Sequence, residues 1–265
     1  MKAFISADLE GVACVWQAEH GSKGAREYEE ARRLLTAEVC AAIEGAREGG
    51  AREVIVADMH GGSGHLLLEQ MPAGVRILEG VPHAPRFPFL DESVDAMLLV
   101  GYHAMAGTEG AVLRHTMTGS WSEFRANGRA LGEVGIDAGI AGCVGVPVAL
   151  VTGDDKVCAE ASALLGEVET AQVKQGIGPT RTLTLSPHDA RALISAQAAA
   201  GMQKAKRLKP FDPGAPVEIE IRFTAIAEAD QAAQGDGARV DDLTVRWTRA
   251  TIADHFGGLW RPEAS

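Results

Sequence analysis

The sequence predicts an α/β protein with a mostly parallel central sheet, flanking helices and a smaller C-terminal α+β domain. Three observations support this prediction. The N-terminal part of the chain alternates short apolar runs with longer amphipathic segments, an order typical of parallel strands joined by right-handed helical crossovers. The apolar runs end in turns that contain glycine or polar residues. Beyond residue 165 the composition changes, so we place an α/β catalytic domain at residues 1–165 and a smaller α+β domain at residues 166–265.

Four short apolar runs predict buried strands, and the segments between them predict helices. The runs lie at residues 1–11, 53–60, 93–103 and 146–155. The predicted helices lie at residues 28–48, in a small-residue segment that runs up to Cys143, and at residues 156–165. The first helix stops at Gly49-Gly50, which is a common way for a helix to end. Asn127-Gly128 is a strong tight-turn signal and predicts a hairpin within residues 116–130.

The C-terminal part predicts a mixed arrangement of strands and helices. Residues 187–206 are rich in alanine and predict a helix, which Ser186-Pro187 can cap and begin. Residues 217–223 alternate between apolar and polar side chains, as expected for a strand with one buried face. The other predicted elements are a strand at residues 168–174, a break at residues 176–179, a strand at residues 243–247 and a final helix at residues 251–260.

Charge and composition argue against several classes of protein. The net charge of −11 disfavours nucleic-acid binding, because that binding relies on lysine and arginine to neutralise phosphates. The four cysteines include no C-x-x-C pair, which argues against a zinc knuckle or a redox motif. No apolar run reaches the roughly 18 residues that a membrane-spanning helix needs, so we expect no membrane contact. The N-terminus does not resemble a secretion signal, and we therefore expect a cytoplasmic protein.

The four predicted strands end with side chains that can bind metal ions. These side chains are Asp8 and Glu10, Asp58 and His60, His103, and Asp154 and Asp155. Parallel topology brings the carboxyl ends of strands to one edge of the sheet, where ligands bind in open α/β folds. Asp8 and Glu10 lie two residues apart and therefore face the same side of a strand, where they repel each other unless a cation lies between them.

The types of side chain at this edge favour a divalent metal ion. Carboxylates and imidazoles are the ligands expected for zinc or a related ion, and a set of this size can hold two ions. Asp8, at the centre of the edge, is the natural bridge between them. The alternative is that Asp8 begins a surface turn and that Glu10 is solvated.

Six short motifs carry a resemblance to a known family. They are Asp8-Leu9-Glu10-Gly11, Asp58-Met59-His60, Gly101-Tyr102-His103-Ala104, Arg114-His115-Thr116, Gly132-Glu133-Val134-Gly135 and Gly153-Asp154-Asp155. In this order they resemble the zinc-dependent D-aminopeptidases of the dipeptide-transport operon type, peptidase family M55. The resemblance spans most of the chain and is densest from residue 1 to about residue 175.

The resemblance implies a site with two zinc ions and a catalytic histidine. The implied metal ligands are Asp8, Glu10, His60, His103 and Glu133, with Asp8 shared by both ions. His115 is the implied catalytic residue, a nucleophile in that family, although a histidine can also act as general acid or base beside an activated water. Without the resemblance, Glu133 would be read as a glutamate that stabilises the start of a helix. Asp58 is then a hydrogen-bond acceptor for a ligating histidine, and Asp155 caps a helix.

The resemblance also implies an activity and an assembly. We expect removal of the N-terminal residue, D-alanine or another D-amino acid, from short peptides or amides. The expected mechanism is attack by metal-activated water on a carbonyl polarised by zinc, with assistance from His115. The family forms a decameric ring, so we expect a homo-oligomer. Two alternatives remain from the residues alone: a binuclear hydrolase of another ester or phosphate bond, and a catalytically silent protein that binds peptide or metal.

Other polar residues carry no functional prediction. The remaining histidines are expected on the surface or in loops, and they are His20, His65, His83, His188 and His255. Lys174 is expected at a strand end, either solvated or directed toward a substrate carboxylate.

Overall fold

A computed structural model describes residues 1–80 and 84–261 of the chain. In chain order the strands are β1 (Lys2–Ala7), β2 (Glu53–Asp58), β3 (Arg76–Leu78), β4 (Ala96–Tyr102), β5 (Trp121–Ala126), β6 (Arg129–Ala130), β7 (Val148–Asp154), β8 (Glu169–Gly178), β9 (Arg181–Thr184), β10 (Val217–Phe223), β11 (Ala238–Arg239) and β12 (Thr244–Arg249). The α-helices are α1 (Tyr28–Glu48), α2 (Glu133–Gly142), α3 (Asp155–Leu165), α4 (Pro187–Lys204), α5 (Ile226–Ala232) and α6 (Ile252–His255). His83, which was expected in a loop, and residues 262–265 of the predicted second domain lie outside the described residues.

A seven-stranded sheet forms the centre of the molecule, with the strand order β3-β2-β1-β4-β7-β8-β9. Neighbouring strands run parallel, except that β9 pairs antiparallel with β8. Strands β4 and β7 are buried along their whole length, because helices or a second sheet cover both faces. The predicted mostly parallel sheet with flanking helices is confirmed.

Two separate apolar clusters cover the two faces of this sheet. Helices α1 and α4 pack on one face, where Ile5 of β1 joins Leu35 and Ala198. Helices α2 and α3 lie on the other face, where Phe4 of β1 joins Ile136 and Val157. Phe4 and Ile5 belong to different clusters because consecutive side chains of a strand point to opposite faces. No helix within residues 1–80 and 84–261 has the length and apolar character needed to cross a membrane.

A second, antiparallel sheet packs beside α2 and has the strand order β11-β12-β10-β5-β6. Its strands come from both halves of the chain, since β10 pairs with β5 across about a hundred residues of sequence. The predicted Asn127-Gly128 turn joins β5 to β6, and both residues have the positive φ that such a turn requires.

The change from one sheet to the other does not occur at residue 165, where we placed the domain boundary. Helix α3 crosses over from β7 to β8, so the chain continues the parallel sheet after that position. Residues 176–179, which were expected to break the strand, instead complete β8 and turn into β9. Helix α5 and strand β11 were not predicted, and α6 covers only part of the helix expected at residues 251–260.

The sheet order determines where a site can form. The chain passes from β1 to β2 on one side of β1 and then to β3 beyond it. Strand β4 lies on the other side of β1, and the chain continues from there to β7, farther away in the same direction. The connections therefore diverge between β1 and β4, and a crevice opens at the carboxyl ends of these strands. Asp8 directly follows β1 and His103 directly follows β4, so both residues lie at this crevice.

Candidate metal centre

The five predicted metal ligands and His115 come from separate segments of the chain, and the structure brings all six together. Asp8 and Glu10 follow β1, His60 follows β2, His103 follows β4, and Glu133 is the first residue of α2. His115 lies in the loop between β4 and β5. Two overlapping groups within this set could each hold a metal ion, one formed by Asp8, Glu10 and His103 and the other by His103, His115 and Glu133.

Short distances connect these side chains in a continuous cluster. His60 Nδ1 lies 3.0 Å from Asp8 Oδ1 and 3.0 Å from Glu10 Oε2. His103 Nε2 lies 3.5 Å from Asp8 Oδ2 and 3.2 Å from Glu133 Oε1. The two oxygens of Asp8 thus face two different histidines, which places this carboxylate at the centre of the cluster.

The ring of His103 is held so that one nitrogen is directed into the cluster. Its Nδ1 lies 3.1 Å from the carbonyl oxygen of Ala104, and a ring nitrogen can bond a carbonyl only as a donor. In the neutral, metal-binding form of the ring, Nε2 is then the nitrogen with the lone pair. This atom is buried and makes no hydrogen bond to any residue of the described ranges. A buried polar atom without a partner is costly, and a metal ion at Nε2 would remove that cost, so the side chains present fit a divalent cation.

His115 is oriented in a similar way but is more accessible. Its Nδ1 donates to the carbonyl oxygen of Leu113 at 3.0 Å, and its Nε2 lies 3.6 Å from Glu133 Oε1. The ring stacks on that of His103, with centroids 4.0 Å apart and planes inclined by 16°. The side chain of His115 is 28% exposed, compared with 1% for His103. His115 therefore contacts both the cluster and the solvent side.

The charges in the cluster shift the pKa values of its members in opposite directions. Burial alone would raise the pKa of the Asp8 carboxyl, but His60 and His103 hold that pKa well below its usual range. Burial opposes a charge on the histidines too, yet Glu10 and Asp8 raise the pKa of His60 to about 11, and Glu133 and Asp8 raise the pKa of His103 to about 10. The cluster therefore attracts positive charge, which protons or a metal cation can supply.

Two glycines allow the loop after β1 to lie directly on the end of β4. A Cβ atom on Gly101 would lie 2.1 Å from the carbonyl oxygen of Asp8, and one on Gly11 would lie 1.9 Å from that of Tyr102. Gly101 also has a φ of +76°, which few other residues adopt. Backbone hydrogen bonds from Asp8 to Val100 and from Gly11 to Gly101 hold the two segments together. This close approach brings Asp8 within reach of His103.

The start of α2 directs Glu133 toward the cluster. The backbone N–H of Met117 donates to Glu133 Oε1 at 2.7 Å, and the same oxygen faces His103 and His115. The other oxygen, Oε2, lies 3.7 Å from Nη2 of Arg86. The two carboxylate oxygens of Glu133 therefore have different surroundings, one in the cluster and one beside a buried arginine.

A cavity of about 320 Å³ opens beside the cluster. Glu10, His60 and His115 line its polar side, and Val15 and Leu113 contribute apolar surface. The cavity is large enough for a small ligand to contact the cluster from the side on which His115 is exposed.

The other carboxylates at the strand ends have structural contacts. Asp58 accepts hydrogen bonds from the backbone and from Nδ1 of His65, at 2.6 Å and 3.0 Å, and not from the predicted ligand His60. Asp154 caps α3 by accepting from two backbone N–H groups, a role that we had assigned to Asp155. Asp155 instead accepts from the N–H of Gly176 at 2.8 Å. The sheet geometry delivers all these side chains to one edge, but local hydrogen bonds occupy these three.

Several predictions about isolated polar residues are wrong. His20 is buried in a short 3-10 helix, and His255 packs among aromatic rings at the end of α6, whereas exposure or a loop position was expected. His65 lies in a loop, as expected, but is buried there. Lys174 is also buried, and its Nζ donates to the carbonyl oxygens of Glu10, Val12 and Val15 at 2.5, 2.9 and 2.7 Å. Lys174 therefore holds the loop after β1 in place. His188 is exposed, as expected.

Two residues beside the cluster were not predicted to belong to it. The ring of His65 lies edge-to-face against that of His60, with centroids 4.7 Å apart, and its position five residues after His60 in a glycine-rich loop was the only available signal. Arg86 lies in an irregular loop, and nothing in its neighbourhood in the sequence connects it to Glu133.

Comparison with known proteins shows similarity over nearly the whole chain. The model of peptidase family M55, described as D-aminopeptidase, matches residues 1–260. A D-aminopeptidase of Bacillus subtilis (strain 168) is 34% identical over 233 residues, which cover 88% of this chain and 85% of the relative. The solved structure of the Zn-dependent D-aminopeptidase DppA from Bacillus subtilis, a self-compartmentalizing protease, matches with a TM-score of 0.93 at 30% identity, over 97% of this chain and 94% of that chain.

Proposed function

This chain belongs to the M55 family of D-aminopeptidases, and we propose that it uses two zinc ions to remove the N-terminal residue, D-alanine or another D-amino acid, from short peptides or amides. The observation that carries this proposal is the buried Nε2 of His103, which has no hydrogen-bond partner in the described ranges and faces Asp8 and Glu133. Zinc as the metal is supported by the description of the similar enzyme DppA.

We assign the metal ligands to Asp8, Glu10, His60, His103 and Glu133. Asp8 is the proposed bridge because its two oxygens face different histidines, at 3.0 Å and 3.5 Å. Zinc bound by these side chains would supply a Lewis acid that polarises the substrate carbonyl and lowers the pKa of a water molecule. The remaining residues of the centre orient the substrate and transfer protons.

We propose that His115 transfers protons during the reaction. Its Nδ1 donates to the carbonyl oxygen of Leu113, so Nε2 is the atom free to accept a proton. This nitrogen can take a proton as the carbonyl carbon is attacked and pass it to the nitrogen of the leaving group. The exposure of His115 toward the cavity suits this task. His115 is also near enough to His103 and Glu133 to bind a metal ion with them, and the metal content and activity of His115→Ala separate the two roles.

The cavity supports a small substrate. Its volume of about 320 Å³ fits the end of a short peptide better than an extended chain. The carboxylate of Glu10 lies in its lining and can attract the N-terminal ammonium group of a substrate. By analogy with the self-compartmentalizing relative, we further propose a homo-oligomer, a decameric ring in the cytoplasm that encloses the active sites.

The test combines metal analysis with hydrolysis of paired D-alanyl and L-alanyl p-nitroanilides by the same preparation. We expect two zinc ions per chain and faster release of p-nitroaniline from the D-substrate. Hydrolysis of phosphodiesters but not of alanyl anilides would assign the centre to another hydrolase reaction. Bound metal and peptide without turnover, under several divalent ions, would contradict an enzymatic role.

A further inference from the structure

A buried chain of hydrogen bonds, joined to Glu133 by an ion pair, connects this residue to two of the strands that carry the other proposed metal ligands. Arg86 donates to Asp137 through Nε and Nη2, at 2.6 Å and 3.1 Å, and Nη2 lies 3.7 Å from Glu133 Oε2. The hydroxyl of Tyr102 donates to Asp137 Oδ2 at 2.5 Å, and it also shares a hydrogen bond of 2.7 Å with the hydroxyl of Ser6. We call these five residues the Arg86 network.

The members of the Arg86 network lie next to ligands along the chain. Tyr102 immediately precedes His103, and Ser6 lies two residues before Asp8 on β1. Asp137 lies four residues after Glu133, so both carboxylates project from the same face of α2. A displacement of α2 relative to β1 or β4 would therefore break at least one hydrogen bond of the network.

We propose that Arg86 is a positioning residue that sets the orientation of the Glu133 carboxylate. The guanidinium group is fixed by its two bonds to Asp137 and attracts Oε2 of Glu133. With Oε2 held on that side, Oε1 is the oxygen directed toward His103. The arginine thus sets the orientation of the carboxylate plane, with one oxygen beside the guanidinium and the other toward the cluster, and this inference rests on the proposed role of Glu133 as a zinc ligand.

The burial of the network argues that it does more than add stability. Asp137 is completely buried, and the side chain of Arg86 is only 10% exposed. Replacing a buried ion pair by apolar side chains of similar volume is often neutral or stabilising, so such a pair is weak evidence for a contribution to stability. The planar guanidinium, however, holds two carboxylates in a fixed geometry that lysine cannot reproduce. This geometric role is the one that we assign.

The test measures the zinc affinity of three variants by competition with a chelator. We expect Arg86→Met to bind zinc about 10 to 100 times more weakly, the range typical of residues that orient a metal ligand. Arg86→Lys, which keeps the charge but not the paired bonds, should recover only part of this loss. Arg47→Met is the matched control, because Arg47 lies exposed on α1, away from the cluster, and its guanidinium donates to a backbone carbonyl rather than to a carboxylate.

Steady-state kinetics at saturating zinc supply a second measurement. A misoriented Glu133 should lower kcat of Arg86→Met more than it changes KM, whereas general loosening of the fold would lower the melting temperature of Arg86→Met below those of the wild type and of Arg47→Met without this split. If Arg86→Met does not fold, Tyr102→Phe removes a single hydroxyl from the network and should weaken zinc binding in the same direction, by a smaller factor.

The outcomes separate this inference from the proposed function. Wild-type affinity for zinc in a folded Arg86→Met protein would overturn the role of Arg86 and leave the zinc centre intact, and if that variant does not fold, wild-type affinity in Tyr102→Phe would have the same meaning. Absence of zinc binding by the wild-type protein would instead overturn the proposed function, and the role of Arg86 with it.

Discussion

His103 shows how the fold orients a proposed metal ligand. Its Nδ1 donates to the carbonyl oxygen of Ala104, which fixes the ring and directs Nε2 at Asp8 and Glu133. A hydrogen bond to the distal nitrogen is the usual way in which proteins orient a histidine ligand. The same arrangement occurs at His115, where the carbonyl of Leu113 takes the place of Ala104.

We predict that His103→Ala loses most of the bound metal. The substitution removes the buried Nε2 that faces both Asp8 and Glu133, so the ion that His103 is proposed to bind loses one of its ligands. Elemental analysis after exhaustive dialysis measures the effect. His188→Ala, at a histidine whose side chain is 85% exposed on α4, is the control and should keep the wild-type metal content. A wild-type metal content in His103→Ala would contradict the assignment.

For His115 we predict a different result, loss of hydrolysis with retention of metal. If the imidazole transfers protons, His115→Ala should lower kcat about 10² to 10⁴-fold, the range typical of general acid–base catalysis. The metal content should stay at the wild-type value, because the five ligands are unchanged. Parallel loss of metal and activity would show that His115 is a ligand, and full activity would show that another group transfers the proton.

The residues of the cluster differ in how far the sequence could predict them. Asp8, Glu10, His60 and His103 follow apolar strands, and parallel topology is enough to place strand ends together. Glu133 begins a helix, and His115 lies in a loop. The spatial neighbours of such positions cannot be derived from spacing, so their predicted roles come from the resemblance. Arg86 reaches Glu133 across 47 residues from an irregular loop, and only tertiary structure brings the two together.

At the scale of secondary-structure elements, the contact between the loop after β1 and the end of β4 decides whether the cluster can form. The backbone of Asp8 lies where a side chain on residue 101 would be, and Gly101 has no side chain to obstruct it. The sequence contains this glycine within an apolar strand, a position that often marks close approach of another backbone. The approaching segment could not be identified from the sequence alone.

We predict that Gly101→Ala destabilises the protein and weakens metal binding. The added Cβ would lie 2.1 Å from the carbonyl oxygen of Asp8, so either β4 or the loop must move. Overpacking of this kind typically costs about 1–3 kcal/mol, in addition to the strain of a positive φ. Thermal melting and zinc titration measure the two effects.

Gly166→Ala provides the control for the backbone strain in that experiment. Gly166 has a φ of +74°, close to that of Gly101, but an added Cβ would meet no atom within 4 Å. This variant should lose some stability and keep the wild-type zinc affinity. Equal loss of zinc affinity in both variants would show that the contact between Gly101 and Asp8 does not position the centre.

The elements that were predicted correctly depend on local pattern, and those that were missed depend on distant partners. Helix α1 has apolar residues at helical spacing and a glycine stop, and the β5–β6 hairpin has its Asn127-Gly128 turn. The division into two sheets was not predictable in the same way. Strand β10 pairs with β5, and apolar residues of both strands join those of α2 in one core cluster, but no local signal in either strand specifies the other.

At the scale of the whole molecule, the region around the antiparallel sheet contains a partly buried histidine that is separate from the metal centre. His255 of α6 packs against the rings of Trp247, Phe124 and Phe256, with centroid distances of 5.0, 6.3 and 5.2 Å. Its Nδ1 is buried and makes no hydrogen bond to any residue that the structure describes. Burial and the positive charge of Arg249 lower the pKa of His255 to about 4, although the negative charge of Asp236 acts in the opposite direction.

This shift predicts that His255 makes the fold sensitive to acid between about pH 6.5 and pH 4. In the unfolded chain a histidine has a pKa of about 6.5, so in this window the unfolded state binds more protons than the folded state. Stability therefore falls as the pH is lowered through the window, by at most about 1.4 kcal/mol per pH unit, and the loss is complete below the folded pKa.

His255→Asn cannot take up this proton, so its free energy of unfolding should fall less steeply with acid. Denaturant unfolding at a series of pH values measures both slopes, and the two proteins should have equal slopes above pH 7, where His255 is neutral in both states. Equal slopes between pH 6.5 and pH 4 as well would show that α6 does not hold this histidine in its neutral form.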